Sequence, residues 1–169
     1  MDLGTRARTF VSTHTQEVDM FKKILVPTDG SELATSAAVM AARLAKSSGA
    51  EVVGVYVIDP FPYIGIGDAS AVGLQAYLSE AKQAAGQALD AVAKACAAEG
   101  VPFLGDTIER NVVYEGILET AKAEGCDLIV MASHGRKGVS ALILGSVAQK
   151  VLTHSPIPVL IAKDTAAEG

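Results

Sequence analysis

Three glycines, two adjacent bases and a Gly-Ser pair fall within ASHGRKGVSALILGSVAQK, Ala132 to Lys150. The stretch leaves an apolar run and arrives at a helical pattern opening with Gly145 and Ser146. A loop of this kind presents unblocked backbone N–H groups beside the positive end of a helix, and together these favour an anion. Gly135 and Gly138 permit a close backbone approach. Ser146 offers a hydroxyl, Val147 shares its first turn, and Arg136 or Lys137 adds charge. The spacing matches neither a Walker loop, which needs Lys directly after the later glycine, nor the dinucleotide GxGxxG. On these residues alone the stretch is either a phosphate cradle or a flexible turn between buried elements.

A second group follows the run KILVP, where Pro27, Thr28 and Asp29 end one apolar segment and precede another helical pattern. A carboxylate only accepts hydrogen bonds, so Asp29 suits the vicinal hydroxyls of a ribose, with a turn or capping role as the alternative. Val57 closes EVVGVYVI and has no side-chain chemistry, yet its backbone N–H and C=O can read a purine edge. His134 falls inside the glycine loop, where a hydrogen-bonding or loop-positioning role is favoured over a general base because no acidic orienter is evident. His14, His134 and His154 form no HExxH and no Cys-His arrangement, so neither a catalytic residue nor a metal ligand is assigned. Asp59 and Asp68 read as cap and loop residues, and the GIG at Gly65 to Gly67 as a connection. Cys96 and Cys126 belong to no CxxC and read as two buried thiols in a reducing compartment.

The elements that must position these groups alternate strand and helix. Strands are expected at 23–27, 51–58, 102–109, 127–132 and 158–162. The intervening helices run from a Ser31 cap to Gly49, then over 69–99, 113–124 and 145–153. On the first helix, Leu33, Ala37, Met40, Ala41 and Leu44 share a face; on the second, Leu74, Leu78, Ala81, Ala85, Leu89, Val92 and Cys96 do. Near-continuous apolar strands joined by helices imply a single doubly wound α/β domain, a parallel sheet covered on both faces. In such sheets ligands bind beyond the carboxyl ends of the strands, where the strand order reverses. That rule selects the loops holding Asp29, Val57 and Gly135.

A chain of 169 residues suits one domain with an ample core. Its net charge of -5 argues against nucleic-acid binding, which needs a basic face. Lys22 and Lys23 form the other adjacent basic pair and read as a surface pair or a phosphate contact. No stretch approaches the roughly 18 apolar residues of a membrane span. Arg6, Arg8, Glu17 and Asp19 occupy the place of an apolar signal core, so the chain is expected in the cytoplasm and off the membrane.

FKKILVPTDGSELA and DLIVMASHGRKGVSALILGSVAQKVLTHSPIPVLIAK together resemble the universal stress protein family over Met20 to Lys163. Its nucleotide-binding branch carries Gly, two residues, Gly, nine residues, then Gly-Ser or Gly-Thr; here Gly135, Arg136 to Leu144 and Gly145-Ser146 match, and Ala132 stands where the first glycine would be. Alanine suits that position if φ is negative. The resemblance implies ATP held with its ribose and phosphates on this loop, Asp29 at the ribose or adenosine and the Val57 backbone at adenine. It also implies sheet order 3-2-1-4-5 and a homodimer formed through the last strand, Pro158 to Ala162. The expected function is an adenine-nucleotide-binding regulatory module in stress response, with at most slow ATP hydrolysis. AMP, cyclic AMP, Mg²⁺ arriving with ATP, a slow ATPase and a nucleotide-free dimerisation scaffold are the alternatives. Relatives often place Gly-x-Pro before the third helix, where this chain has Asn111-Val112-Val113, and asparagine tolerates the left-handed conformation. Residues 1–19 read as an extension of unknown role and residues 164–169 as a tail.

Overall fold

A computed structural model describes residues 20–60, 71–135 and 144–163. The extension, the GIG connection, Arg136, Lys137, Gly138 and the tail lie outside the described residues. The elements run β1 (Lys23–Pro27), α1 (Glu32–Ser48), β2 (Glu51–Ile58), α2 (Ala71–Glu99) and β3 (Phe103–Glu109). They continue with α3 (Val113–Ala123), β4 (Leu128–Ala132), α4 (Ser146–His154) and β5 (Val159–Ala162). Every expected element is present within two residues of its expected bounds.

The strands pair in parallel in the order β3-β2-β1-β4-β5. Because side chains alternate along a strand, each central strand feeds two cores. Ile24, Val26, Val52, Leu128 and Val130 pack beneath α1 and α2, with Val92 and Cys96. Leu25, Val53, Val55, Ile129 and Met131 pack beneath α3 and α4, with Ile117, Ala121, Ala148 and Val151. Polar closure holds the end of the sheet opposite the loops of interest. The Asp127 carboxylate accepts from the backbone N–H groups of Lys22 and Lys23 at 2.9 and 3.1 Å, and Lys23 Nζ pairs with Glu51 at 2.7 Å. The Lys22-Lys23 pair therefore anchors the start of β1 and sits away from the strand ends where a ligand would bind.

Two local expectations need correction. The buried stripe of α1 is alanine throughout, Ala34, Ala37, Ala38, Ala41, Ala42 and Ala45, while Met40 is 42% exposed. Small side chains let the helix lie close to the sheet, so the inner face is chosen by size as well as by hydropathy. Before α3, Asn111 does not use the left-handed region, since among the described residues only glycines have positive φ. The helix is entered instead through an extended Val112 at φ -121° and ψ 102°.

Replacing fully buried Ala41 with leucine should overpack the α1–sheet contact and cost about 1–3 kcal/mol in urea unfolding. Wild-type stability in Ala41→Leu would show that the contact has slack. Burial pushes both thiols up, Cys96 and Cys126 each to about 11, so their reactive thiolates form only well above neutral pH. Ellman's reagent at pH 8 should leave both unreacted in the folded chain and modify both in denaturant.

Candidate functional site

The topology determines where a ligand can enter. β1 and β4 lie side by side at the centre of the sheet, but α1 leaves β1 toward one face and α4 leaves β4 toward the other. Their loops diverge and open a crevice beyond the carboxyl ends of the strands. A cleft of about 530 Å³ occupies this position, a size suited to a small-molecule ligand. Pro27, Thr28, Asp29, Val57, Ala132, His134, Gly135, Gly145, Ser146 and Val147 line it. Arg136 and Gly138, the other two expected residues, lie outside the described residues.

The β1 loop is wound tightly onto the start of α1. Thr28 donates its backbone N–H to Val55 O at 2.9 Å, and its Oγ1 accepts from Gly30 N at 3.2 Å. Asp29 Oδ1 accepts from Ser31 N at 3.0 Å, and Ser31 Oγ accepts from Ala34 N at 3.2 Å as the expected N-cap. One oxygen of Asp29 thus serves the turn. The other lies against Gly135, where any Cβ would collide with Asp29 Oδ2. Glycine at 135 is what allows the β1 and β4 loops to meet.

The far end of the glycine loop is held as closely. Gly145 donates its N–H to Ser133 O at 2.8 Å, and a Cβ at 145 would sit 3.1 Å from His134 Cα and 3.2 Å from Ser133 O. Ser133 in turn donates its N–H to Ala162 O at 2.9 Å, and its hydroxyl lies 3.1 Å from His134 Nδ1. Ser133 is 4% exposed, and no motif in the sequence marks it. Ala132 remains in the strand, in register with Ala162 and without positive φ, so a methyl group at this position introduces no backbone strain.

Gly145 is the N-cap of α4 and supplies no side-chain hydrogen bond. The first intrahelical bond is Gln149 N to Gly145 O, at 2.9 Å. The N–H groups of Ser146, Val147 and Ala148 precede it, and all three residues line the cleft. Among the described residues, a helix start whose cap residue makes no side-chain hydrogen bond, facing a cavity, favours an anion in both dipole and hydrogen-bonding terms.

Val57 is placed by strand alternation. Val52 N donates to Pro102 O and Ile58 O accepts from Arg110 N, so even-numbered positions of β2 turn their backbone toward β3. Glu51 and Val55 bond toward β1, and Val57 follows the same sense. Pairing on that side ends with Thr28 N on Val55 O, which leaves the Val57 N–H and C=O on the cleft side, one step past the last bond. Tyr77, on α2, donates its hydroxyl to Asp59 O at 2.8 Å and ties this strand end down. Burial, with the Asp59 charge second, pushes that hydroxyl up, so it remains a donor.

Six further lining residues had no signal as site residues: Ala34, Tyr56, Val113, Ile117, Met131 and Ala148. They are apolar or aromatic and read as ordinary core. Only Val113 and Ile117, four apart at the start of α3, carry a pattern that would have suggested a shared wall. Among the described residues, the ionisable side chains lining the cleft are Asp29, His134 and Tyr56.

Residues 20–163 match the model of the universal stress protein family. A universal stress protein of Methanocaldococcus jannaschii is 38% identical over 146 residues, covering 86% of this chain and 84% of that protein. Among solved structures, the hypothetical protein MJ0577 superposes with a TM-score of 0.74 at 28% identity, over 86% of this chain and 98% of that one. Two more distant structures share the fold. One is a universal stress protein in complex with cAMP, at 21% identity, TM-score 0.58, and 83% and 95% coverage of this chain and that one. The other, from Archaeoglobus fulgidus in complex with dAMP, has 20% identity, TM-score 0.63, and 85% and 98% coverage. Sequence match and strand order agree, and the chain belongs to the universal stress protein family.

Proposed function

We propose that this chain is a regulatory module that binds an adenine nucleotide, ATP in the first instance, in the cleft beyond β1, β2 and β4. One observation carries the reading: a single cleft collects a backbone donor and acceptor at Val57, the Asp29 carboxylate and the uncapped start of α4. These match, in order, the needs of a purine edge, a ribose and a phosphate. An adenine presents an acceptor beside a donor, which complements a backbone N–H and C=O; guanine reverses that pattern on the same edge. The related proteins solved with cAMP and dAMP support adenine nucleotides as the ligand class.

The assigned contacts are Val57 to the base, Asp29 to the ribose, and Gly135, Gly145, Ser146 and Val147 to the phosphates. Pro27, Thr28, Ala132 and His134 complete the walls, and Arg136 and Gly138 belong to the same loop. Mg²⁺ is proposed to enter with the triphosphate. The domain is taken as residues 20–163, acting in the cytoplasm. Among the described residues no helix is long and apolar enough to cross a membrane. β5 is an edge strand whose Val159, Leu160 and Ile161 are half-buried, which supports a homodimer formed through it.

Nucleotide-stripped protein should melt about 5–10 °C higher when Mg-ATP is present at a hundred times its Kd. Parallel melts with AMP, cyclic AMP and GTP rank the phosphate count and the base. Gly135→Val should abolish the rise, because its side chain takes the space of the Asp29 carboxylate. A flat response to every nucleotide would sink the proposal. Sedimentation equilibrium should give twice 17.4 kDa, and a single-chain mass would remove the dimer.

A further inference from the structure

Gly116 lies inside α3, buried, where glycine weakens a helix relative to alanine. Its surroundings leave little room for a side chain. A Cβ there would lie 3.0 Å from Ile108 Cδ1, 3.1 Å from Val57 Cγ1 and 3.2 Å from Arg110 Cγ. All three neighbours come from the carboxyl ends of β2 and β3. Val57 is the residue whose backbone faces the cleft, and Val113 and Ile117, on either side of Gly116, line the cleft from α3.

We propose that Gly116 is a positioning residue for the base. By removing one methyl group from the α3–β2 contact, it lets Val113 and Ile117 approach the end of β2, and so sets the width of the apolar slot. A flat aromatic ring needs such a slot at a defined width, since dispersion is lost steeply when a gap opens and repulsion rises when it narrows. The three atoms nearest a Cβ at Gly116 come from none of the β1 loop, β4 or α4, so the strain falls first on the end of β2 and β3 rather than on the phosphate-binding groups. The inference rests on the nucleotide reading above.

The test is calorimetric titration of the full chain with Mg-ATP and, in parallel, with Mg-tripolyphosphate, which has no base. Gly116→Ala should weaken ATP roughly fivefold or more, about 1 kcal/mol, while tripolyphosphate changes less than about twofold. Adding Ile108→Val, which deletes the atom nearest the new methyl, should recover much of the lost ATP affinity in the double variant. Apo melting curves of each variant confirm that the fold is kept.

Unchanged ATP affinity in Gly116→Ala overturns the proposal, as does an equal loss for ATP and tripolyphosphate. If the wild type takes ATP but no measurable tripolyphosphate, the double variant decides, and failure to recover overturns the proposal. A wild type that binds no nucleotide overturns the functional reading and this inference together; that result is distinct from normal ATP binding in Gly116→Ala.

Discussion

The structure depends on a topological constraint: β1 and β4 are neighbours, while the helices that follow them leave toward opposite faces of the sheet. Two chains diverging from adjacent strand ends cannot close over the space between them. The crevice is a by-product of strand order, and its chemistry is whatever the first few residues of each loop carry. Here those residues are Thr28 and Asp29 on one side and Ser133 to Gly135 on the other. The approach of Asp29 Oδ2 to Gly135 is possible only because position 135 has no side chain.

Packing beneath the loops makes that approach reproducible. The alanine stripe of α1 lets the helix lie close to β1 and β4, and Ser31 caps its start two residues after Asp29. Movement of α1 would therefore carry Asp29 with it. On the other face, Ala148 and Val151 seat α4 on the sheet, while the Gly145 to Ser133 hydrogen bond pins its first turn to the end of β4. Backbone donors held in this way can meet an anion without reorganising, which is the main advantage of a preformed anion site over flexible lysines.

The lining of the cleft is of two kinds. The starts of α1 and α4, on opposite faces of the sheet, supply hydrogen-bonding groups on short, capped or pinned turns, whereas α3, on the same face as α4, supplies apolar surface from Val113 and Ile117. A ligand with a flat apolar end and a polar, anionic end suits this division. Gly116 belongs to the apolar part, and the atoms nearest its missing methyl group are those of Ile108, Val57 and Arg110.

Strand and helix positions, the doubly wound class and the polar half of the cleft were legible in the chain. Apolar runs of four to eight residues, helical spacing and stop residues are local signals, and the site's polar residues sit at the ends of such runs. The strand order followed from resemblance to a family, and local pattern carries no such information. Tyr56 could not be singled out, and the spacing of Val113 and Ile117 shows a shared helix face but not that it lines a cleft, since an apolar residue lining a cleft looks like one lining a core until the helix is docked. The same limit hid the exposure of Met40, which is settled by how closely α1 can lie on the sheet. The sequence by itself determined which segments form elements and which glycines and carboxylates lie at their ends, because those depend on neighbours along the chain. Only the tertiary structure decided that Asp29 meets Gly135 and that α3 approaches Val57, because such contacts depend on the packing of segments far apart in the chain.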